Sequence, residues 1–300
     1  MGEGNQGSSG VLGLRLPHGG FHVKAAAFPA GEGNRAYLAA KLNANVPGNP
    51  TTTGLPTIQG LVGLFDAETG SPLAVMDSMA ITVLRTAAAT AVAAKYLAPA
   101  DASTLTVIGC GAQARAQVVA VSRVRRLGRV VAGDRDLAAA ERLAVELRAT
   151  LGLPVEAVSD WRSSARESDI VVTCTPSRLP LLGKDDVKRG AFIAAVGADS
   201  ETKSEIEPSL LGAAVVVTDN RHQCALIGDL HHAIAAGIMT IEGVHADLSE
   251  VVAGKAAAIA EGKVVVFDST GLPFEDVVAA ALVFERGRAR NLGTTFHFGQ

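Results

Sequence analysis

Leu105-Thr106-Val107-Ile108-Gly109-Cys110-Gly111-Ala112-Gln113-Ala114 passes from an apolar strand into a glycine-rich turn and on toward residues that form helix well. The order strand, G-x-G-x-x-A, helix is the context that gives this string meaning. Gly109 permits the tight turn, Gly111 lets the backbone approach a pyrophosphate, and the small Ala114 allows close packing of helix on strand while the helix N-terminus attracts the anion. The following residues predict a helix over 114–125 and a strand over 129–132, which completes a βαβ unit. Further on, helices over 138–150 and 161–167 alternate with strands over 155–158, 169–174, 191–196 and 214–218. About six strands separated by helices or loops predict an α/β domain with a Rossmann-type, doubly wound parallel sheet. A last strand-like run, 264–267, precedes a helix over 274–288.

Upstream the pattern differs. From Arg15 to about Asp66, runs such as Gly20-Phe21-His22-Val23-Lys24 and Gly60-Leu61-Val62-Gly63-Leu64-Phe65 are bounded by Gly, Pro and Asn clusters, which reads as β-rich. Residues 66–72 have hairpin-turn chemistry, with Gly70 free to take positive φ. Residues 81–97 carry no internal Gly or Pro and end before Pro99, so they predict a helix. The expected organisation is a dinucleotide-binding domain over 98–267. A second, β-rich α+β domain for substrate binding and dimerisation is expected from both chain ends, 1–97 with 268–300.

Composition narrows the class. The 300 residues are 48% hydrophobic and 19% charged with net charge -3, which excludes a disordered chain and argues against nucleic acid as a partner. Three scattered cysteines favour free thiols in a reducing compartment. Met1–Gly10 reads as a loose Gly- and Ser-rich tail rather than a secretory signal, and no apolar run approaches the roughly 20 residues a bilayer needs. A cytoplasmic protein with no membrane partner is expected. His231-His232 and Cys110, Cys174 and Cys224 lack metal-ligand spacing, so no metal is assigned.

Asp134 stands 23 residues after Gly111, where an acid accepts hydrogen bonds from the adenosine ribose and favours NAD. Arg135 beside it offers a guanidinium to the 2′-phosphate of NADP, which keeps that cofactor open. Thr175-Pro176-Ser177 follows a strand, where loops at carboxyl ends line a cofactor crevice.

Five ordered strings then resemble the ornithine cyclodeaminase/mu-crystallin family, which includes alanine dehydrogenases and ketimine reductases. They are Lys41-Leu42-Asn43-Ala44-Asn45-Val46-Pro47-Gly48-Asn49, Gly54-Leu55-Pro56-Thr57, Leu84-Arg85-Thr86-Ala87-Ala88, Val196-Gly197-Ala198-Asp199 with Lys203, and Phe267-Asp268-Ser269-Thr270-Gly271. The resemblance covers about Gly20 to Arg286. It implies that Lys41 and Arg85 hold the substrate carboxylate, with Thr270 also on the substrate side, and that Asp199 and Lys41 are catalytic, Asp199 as the acid/base. It also implies dinucleotide contacts from Thr57, Thr86, Ala112, Gln113, Asp134, Thr175, Lys203 and Ser269, beside Gly109, Gly111, Ala114, Arg135, Pro176, Ser177, Val196 and Gly197. A homodimer through the β-rich halves is a further implication.

One departure matters. Ornithine-cyclising members place an acid on the strand before the substrate lysine, whereas this strand carries His22 and Lys24 on one face, and a cation at Lys24 repels a distal ammonium. Arg15 is the candidate for the family's early substrate arginine, with no register to assign it. The expected function is NAD(P)-dependent oxidoreduction at the C–N bond of a small α-amino acid or its imine, like a ketimine reductase or alanine dehydrogenase. The alternatives are ornithine cyclodeamination to proline and ammonia, a non-catalytic dinucleotide or small-ligand binder of mu-crystallin type, and a cofactor-dependent condensing enzyme.

Overall fold

The computed structural model describes residues 9–29 and 35–296. In chain order the first elements are β1 (Ser9–Leu16), β2 (Gly19–Phe28), β3 (Tyr37–Asn45), α1 (Asn49–Thr52), β4 (Ile58–Asp66), β5 (Pro72–Asp77) and α2 (Ser78–Leu97). There follow β6 (Thr104–Ile108), α3 (Ala114–Ser122), β7 (Arg129–Gly133), α4 (Leu137–Leu151), β8 (Val155–Val158), α5 (Trp161–Ala165), β9 (Ile170–Thr173) and β10 (Phe192–Ala195). The chain ends with α6 (Pro208–Ala213), β11 (Val215–Thr218), α7 (Arg221–Ile227), α8 (Asp229–Ala235), β12 (Ala246–Asp247), α9 (Leu248–Val252), β13 (Val265–Asp268) and α10 (Pro273–Ala289). Two compact units result, Met1–Arg85 with Leu272–Gln300, and Thr86–Gly271. The first division falls inside α2 rather than at its end, and the second falls just after Thr270-Gly271.

In the first unit five antiparallel strands lie in the order β1-β2-β3-β4-β5. One face carries Ala26, Ala39, Val62 and Leu64 into a core with Val277 and Ala280 of α10, because alternate residues of a strand share a face. Gly70 takes φ +73° in the turn between β4 and β5, as its residue type predicts. The proposed tail is only partly testable: residues 1–8 lie outside the described residues, while Ser9 and Gly10 already pair with Ala26 and Ala25. The β-structure thus begins before Arg15, since Val11, Leu12 and Leu14 continue a ladder with β2 that glycines at 10 and 13 do not interrupt.

The second unit is α/β. Its eight strands are ordered β12-β11-β13-β10-β9-β6-β7-β8, all pairs parallel. The expected six strands are joined by the two-residue β12 and by β13, which the run at 264–267 supplies. β13 sits inside the sheet, between β10 and β11, and its residues are buried throughout, as a parallel strand covered on both faces requires. The helix expected over 114–125 stops at Ser122, and the one expected over 161–167 is little more than one turn. β6 is flanked by β7 on one side and β9 on the other, so the strand order reverses there. That reversal opens the carboxyl ends of β6 and β9 to a ligand.

Gly60 in β4 reports on the first sheet, because a Cβ there would stand 2.1 Å from the Leu42 carbonyl oxygen and 2.4 Å from Asn43 Oδ1. Gly60→Ala should lower the unfolding free energy by about 1–3 kcal/mol. Gly287→Ala in α10, with nothing within 4 Å, should raise it by up to ~1 kcal/mol. Denaturant unfolding of the two variants checks the contrast, and equal effects would refute it.

Candidate functional site

In the second unit the strand–turn–helix expected around Gly109 is present. Gly109 takes φ +94°, and a Cβ there would meet Thr175 Cγ2 at 2.5 Å and the Cys174 carbonyl oxygen at 3.0 Å. Only glycine fits this approach of the two strand ends. Gly111 is exposed, with nothing within 4 Å of its missing Cβ, so space is open in front of the turn before α3. Asp134, just beyond β7, accepts from the Cys110 N–H at 2.7 Å and from the Asp136 N–H at 2.9 Å. Gln113 Oε1 is buried without a hydrogen-bond partner among the described residues. An orphaned buried acceptor is costly unless a ligand completes it. An open backbone turn, an adjacent carboxylate and this orphaned amide fit a dinucleotide.

The loops after β9, β10 and β13 complete the carboxyl edge. Ser177 of the Thr175-Pro176-Ser177 loop accepts from the Ser204 N–H through its carbonyl at 2.9 Å, and Val196 N–H donates to the Thr173 carbonyl at 3.0 Å. Asp199 is half exposed and ion-pairs with Lys203 at 2.5 Å, one helical turn's spacing along the chain. Ser269 Oγ and the Thr270 and Gly271 N–H groups all donate to Asp219 Oδ2, at 3.0, 2.8 and 2.6 Å. Thr270 Oγ1 accepts from Gln223 Nε2 at 2.7 Å. Arg135 and Pro176 are exposed, and Ala112 is exposed beside Gly111.

Behind these loops lies a set of buried acids that sequence reasoning missed. Glu205 accepts from Thr173, Thr175 and Gly197, Asp229 Oδ1 accepts from the Glu205 and Ile206 N–H groups, and Asp268 accepts from the Asp229 and Leu230 N–H groups. Burial pushes Glu205 up to about 7 and Asp229 up to about 6, and drives Asp268 well above the ordinary carboxylate range; like charge on neighbouring acids adds to this at Glu205 and Asp268. Nothing local in the sequence marks Glu205 or Asp229, and Asp268 stands in the 267–271 string without a role assigned to it, since the partners of all three come from other segments.

The first unit gathers cations. Lys41 on β3 is 4% exposed. Its Nζ donates to Asp276 Oδ1 at 2.9 Å, lies 2.7 Å from Oδ2, and reaches Thr82 Oγ1 at 3.3 Å. Arg85 on α2 donates through Nη1 to Glu275 Oε2 at 2.8 Å, while its Nε lies 3.2 Å from Asp276 Oδ1 at ion-pair distance without hydrogen-bond alignment. Burial brings Lys41 down to about 8, helped by the Arg85 charge and opposed by Asp276. Lys24 stands directly opposite Lys41 in the β2–β3 register, half-buried on the same face. Asn43 Oδ1 and Asn45 Oδ1, also on the Lys41 face of β3, are buried without a hydrogen-bond partner among the described residues. Thr57 precedes β4 and its carbonyl accepts from the Val46 N–H at 2.8 Å; Thr86, buried in α2, directly follows Arg85. Asp276 and Glu275 were missed because two acids in a helix's first turn read as ordinary complements to its dipole.

The three thiols form no disulfide, and among the described residues no three His, Cys, Asp or Glu side chains gather as metal ligands. No helix among them is long and apolar enough to cross a membrane.

Residues 20–291 match the family described as Ornithine cyclodeaminase/mu-crystallin family. An archaeal alanine dehydrogenase, solved as a dimer with bound NAD, superposes with a TM-score of 0.90 at 35% identity, covering 97% of this chain and 89% of that one. The Δ1-pyrroline-2-carboxylate reductase of Thermococcus litoralis, solved with NADH and L-proline, gives 0.91 at 28% identity over 97% and 90% of the two chains. The iminosuccinate reductase of Paracoccus denitrificans, solved with NAD+, gives 0.87 at 33% identity over 97% and 89%.

The buried acids set a pH dependence. Between the unfolded and folded titration ranges of Glu205 and Asp229 the folded chain holds more protons than the unfolded one, so stability falls as pH rises. Raising Glu205 alone accounts for on the order of 3 kcal/mol across its window. Calorimetric Tm should fall from about pH 5 to about pH 8, and a rise across that window would contradict this account of the buried acids.

Proposed function

The chain belongs to the ornithine cyclodeaminase/mu-crystallin family, and from that membership we propose that it is an NAD-dependent oxidoreductase acting on the C–N bond of a small α-amino acid or the corresponding imine. The observation that carries this reading is the buried cation pair Lys41 and Arg85, held by the carboxylate of Asp276, in a chain that also carries an open Gly109–Gly111 turn. A buried guanidinium and a buried ammonium side by side suit a carboxylate ligand, one by its planar fork and the other as a point charge.

The dinucleotide, when bound, supplies the hydride acceptor for amine oxidation or the hydride donor for imine reduction. The chain's own residues do the rest. Gly109, Gly111, Ala112, Gln113 and Ala114 would cradle the pyrophosphate, and Asp134 the adenosine ribose, which ranks NAD over NADP because a 2′-phosphate meets that carboxylate. Thr57, Thr86, Arg135, Thr175, Pro176, Ser177, Val196, Gly197, Lys203 and Ser269 are assigned to the same ligand, and Thr270 and Lys24 to the substrate side. Lys41 and Arg85 fix the substrate carboxylate and so orient the α-carbon. Asp199 takes a proton from, or returns it to, the substrate nitrogen, and deprotonates the water that hydrolyses an imino acid. Asp276 holds both cations in place and keeps Lys41 charged against burial.

The second face of the five-stranded sheet is assigned to another copy of the chain. Leu12, Leu42 and Leu61 lie in one cross-strand row on the side away from α10, and Leu61 and Val75 there are 45% and 68% exposed. A sheet face this apolar is covered in a stable assembly.

Purified protein with NAD and NADH should turn over within a panel of alanine, proline, ornithine, pyruvate with ammonia, and cyclic imines, followed at about 340 nm. Lys24 predicts that ornithine is the poorest amino acid of the panel. Arg85→Ala should raise the substrate KM by about tenfold or more while NADH affinity stays within about twofold. Equal loss of both would contradict the proposed division of labour. Light scattering should report a dimer that Leu61→Glu dissociates, and a monomeric parent protein would overturn the assignment of that face.

A further inference from the structure

We propose that Glu205 is a positioning residue that locks the loop after β9 to the turn after β10, holding Thr175 and Asp199 in place for dinucleotide binding and proton transfer. The inference rests on the oxidoreductase reading above.

Glu205 lies between β10 and α6 and is wholly buried. Its Oε1 accepts from the N–H and Oγ1 of Thr175 at 2.6 and 2.7 Å, and its Oε2 accepts from Thr173 Oγ1 and the Gly197 N–H, both at 2.8 Å. Four donors from the ends of two strands therefore converge on one carboxylate. Contact is close enough that a Cβ on Gly197 would stand 2.6 Å from the Glu205 carboxylate and 2.4 Å from the Thr175 carbonyl oxygen. The main chain of Glu205 extends the tie, its N–H donating to Asp229 Oδ1 at 2.7 Å and its carbonyl accepting from the Leu181 N–H at 2.7 Å.

Both arms lead to proposed site residues. Thr175 touches the Gly109 turn so closely that only glycine fits there, and Asp199 follows Gly197 by two residues. The lock depends on charge. An ionised carboxylate accepts all four bonds, whereas a protonated carboxyl or an amide has a donor in place of an acceptor and must turn it toward one of them. The titratable groups facing Glu205 are Asp229 on α8 and Cys174 after β9, with Asp268 of β13 one step behind Asp229. Burial and Asp229 push Glu205 up to about 7, so the lock loosens as pH falls through neutrality.

The test is NADH affinity, by fluorescence titration from about pH 6 to about pH 9, together with kcat on whichever panel substrate turns over. The parent protein should bind NADH less tightly below about pH 7. Glu205→Gln should weaken NADH by about tenfold or more near pH 8, lower kcat by a similar factor, and abolish the acid limb, with the far-UV spectrum unchanged. Thr173→Val removes a single donor to the carboxylate and touches no proposed ligand contact, so it should move the acid limb to higher pH. It decides the matter if Glu205→Gln does not fold. Glu205→Gln binding NADH within about twofold of the parent near pH 8, or an acid limb unmoved by Thr173→Val, would overturn the proposal. A parent protein that binds no NADH at any pH would remove the oxidoreductase reading and this inference with it, a result distinct from either variant outcome.

Discussion

The Asp276 carboxylate, buried between Lys41 and Arg85, is the interaction on which the first unit turns. Each ion taken out of water costs several kcal/mol, and a lone buried lysine answers that cost by losing its proton. Lys41 goes part of the way, down to about 8, and Asp276 prevents the rest. This requirement explains why the unit is assembled from both ends of the chain: α10, which brings Asp276 and Glu275, lies against the same sheet face that presents Lys41 from β3. The apolar contacts of Val277 and Ala280 with Val62 and Leu64 fix the helix, and the fixed helix delivers the carboxylate. Removing either charge would leave the others buried without compensation, which is far costlier than never burying them.

The second unit meets the same problem with the opposite solution. Glu205, Asp229 and Asp268 are buried among main-chain N–H and hydroxyl donors instead of facing cations. Donors of fixed geometry stabilise an anion while constraining where the loops that carry them can go. The shared burial raises proton affinity, bringing Glu205 up to about 7 and Asp229 up to about 6, and Asp268 well above the ordinary carboxylate range. Loops tied together while Glu205 is ionised, and a folding stability that falls as it ionises, are thus two opposed results of one arrangement.

Much of the second unit was legible in its sequence because the signals were local. The apolar strand over 105–108, the two glycines and the small Ala114 determine a turn within ten residues, and the structure shows that turn with Gly109 at positive φ. The period change at Ile81 marked α2, three residues after its start at Ser78, and the run at 264–267 marked β13, though not its place inside the sheet. What was not legible depends on distance along the chain. Asp276 meets Lys41 across 235 residues, and Glu205 meets Thr175 across 30. Ordinary surface acids share their composition and spacing, so only the fold distinguishes them. β1 was hidden for a different reason: glycines within it look like tail, yet in an antiparallel edge strand they still offer main-chain pairs.

The cationic face also bears on which substrates suit the site. Lys24 and Lys41 face each other across β2 and β3, an arrangement of like charges that costs stability unless something nearby offsets it. Asp276 and Glu275 meet Lys41 and Arg85, and Lys24 adds a third cation beside them on the face proposed to receive an incoming carboxylate. A zwitterionic amino acid supplies that carboxylate on a chain with no further charge. A diamino acid brings a second ammonium as well, and two like charges about 6 Å apart at an effective dielectric near 20 repel by roughly 3 kcal/mol. In the proposed site, where Lys24 is the cation met, that repulsion acts against a diamino acid and not against a monoamino one, two substrates that the carboxylate anchor alone would treat alike.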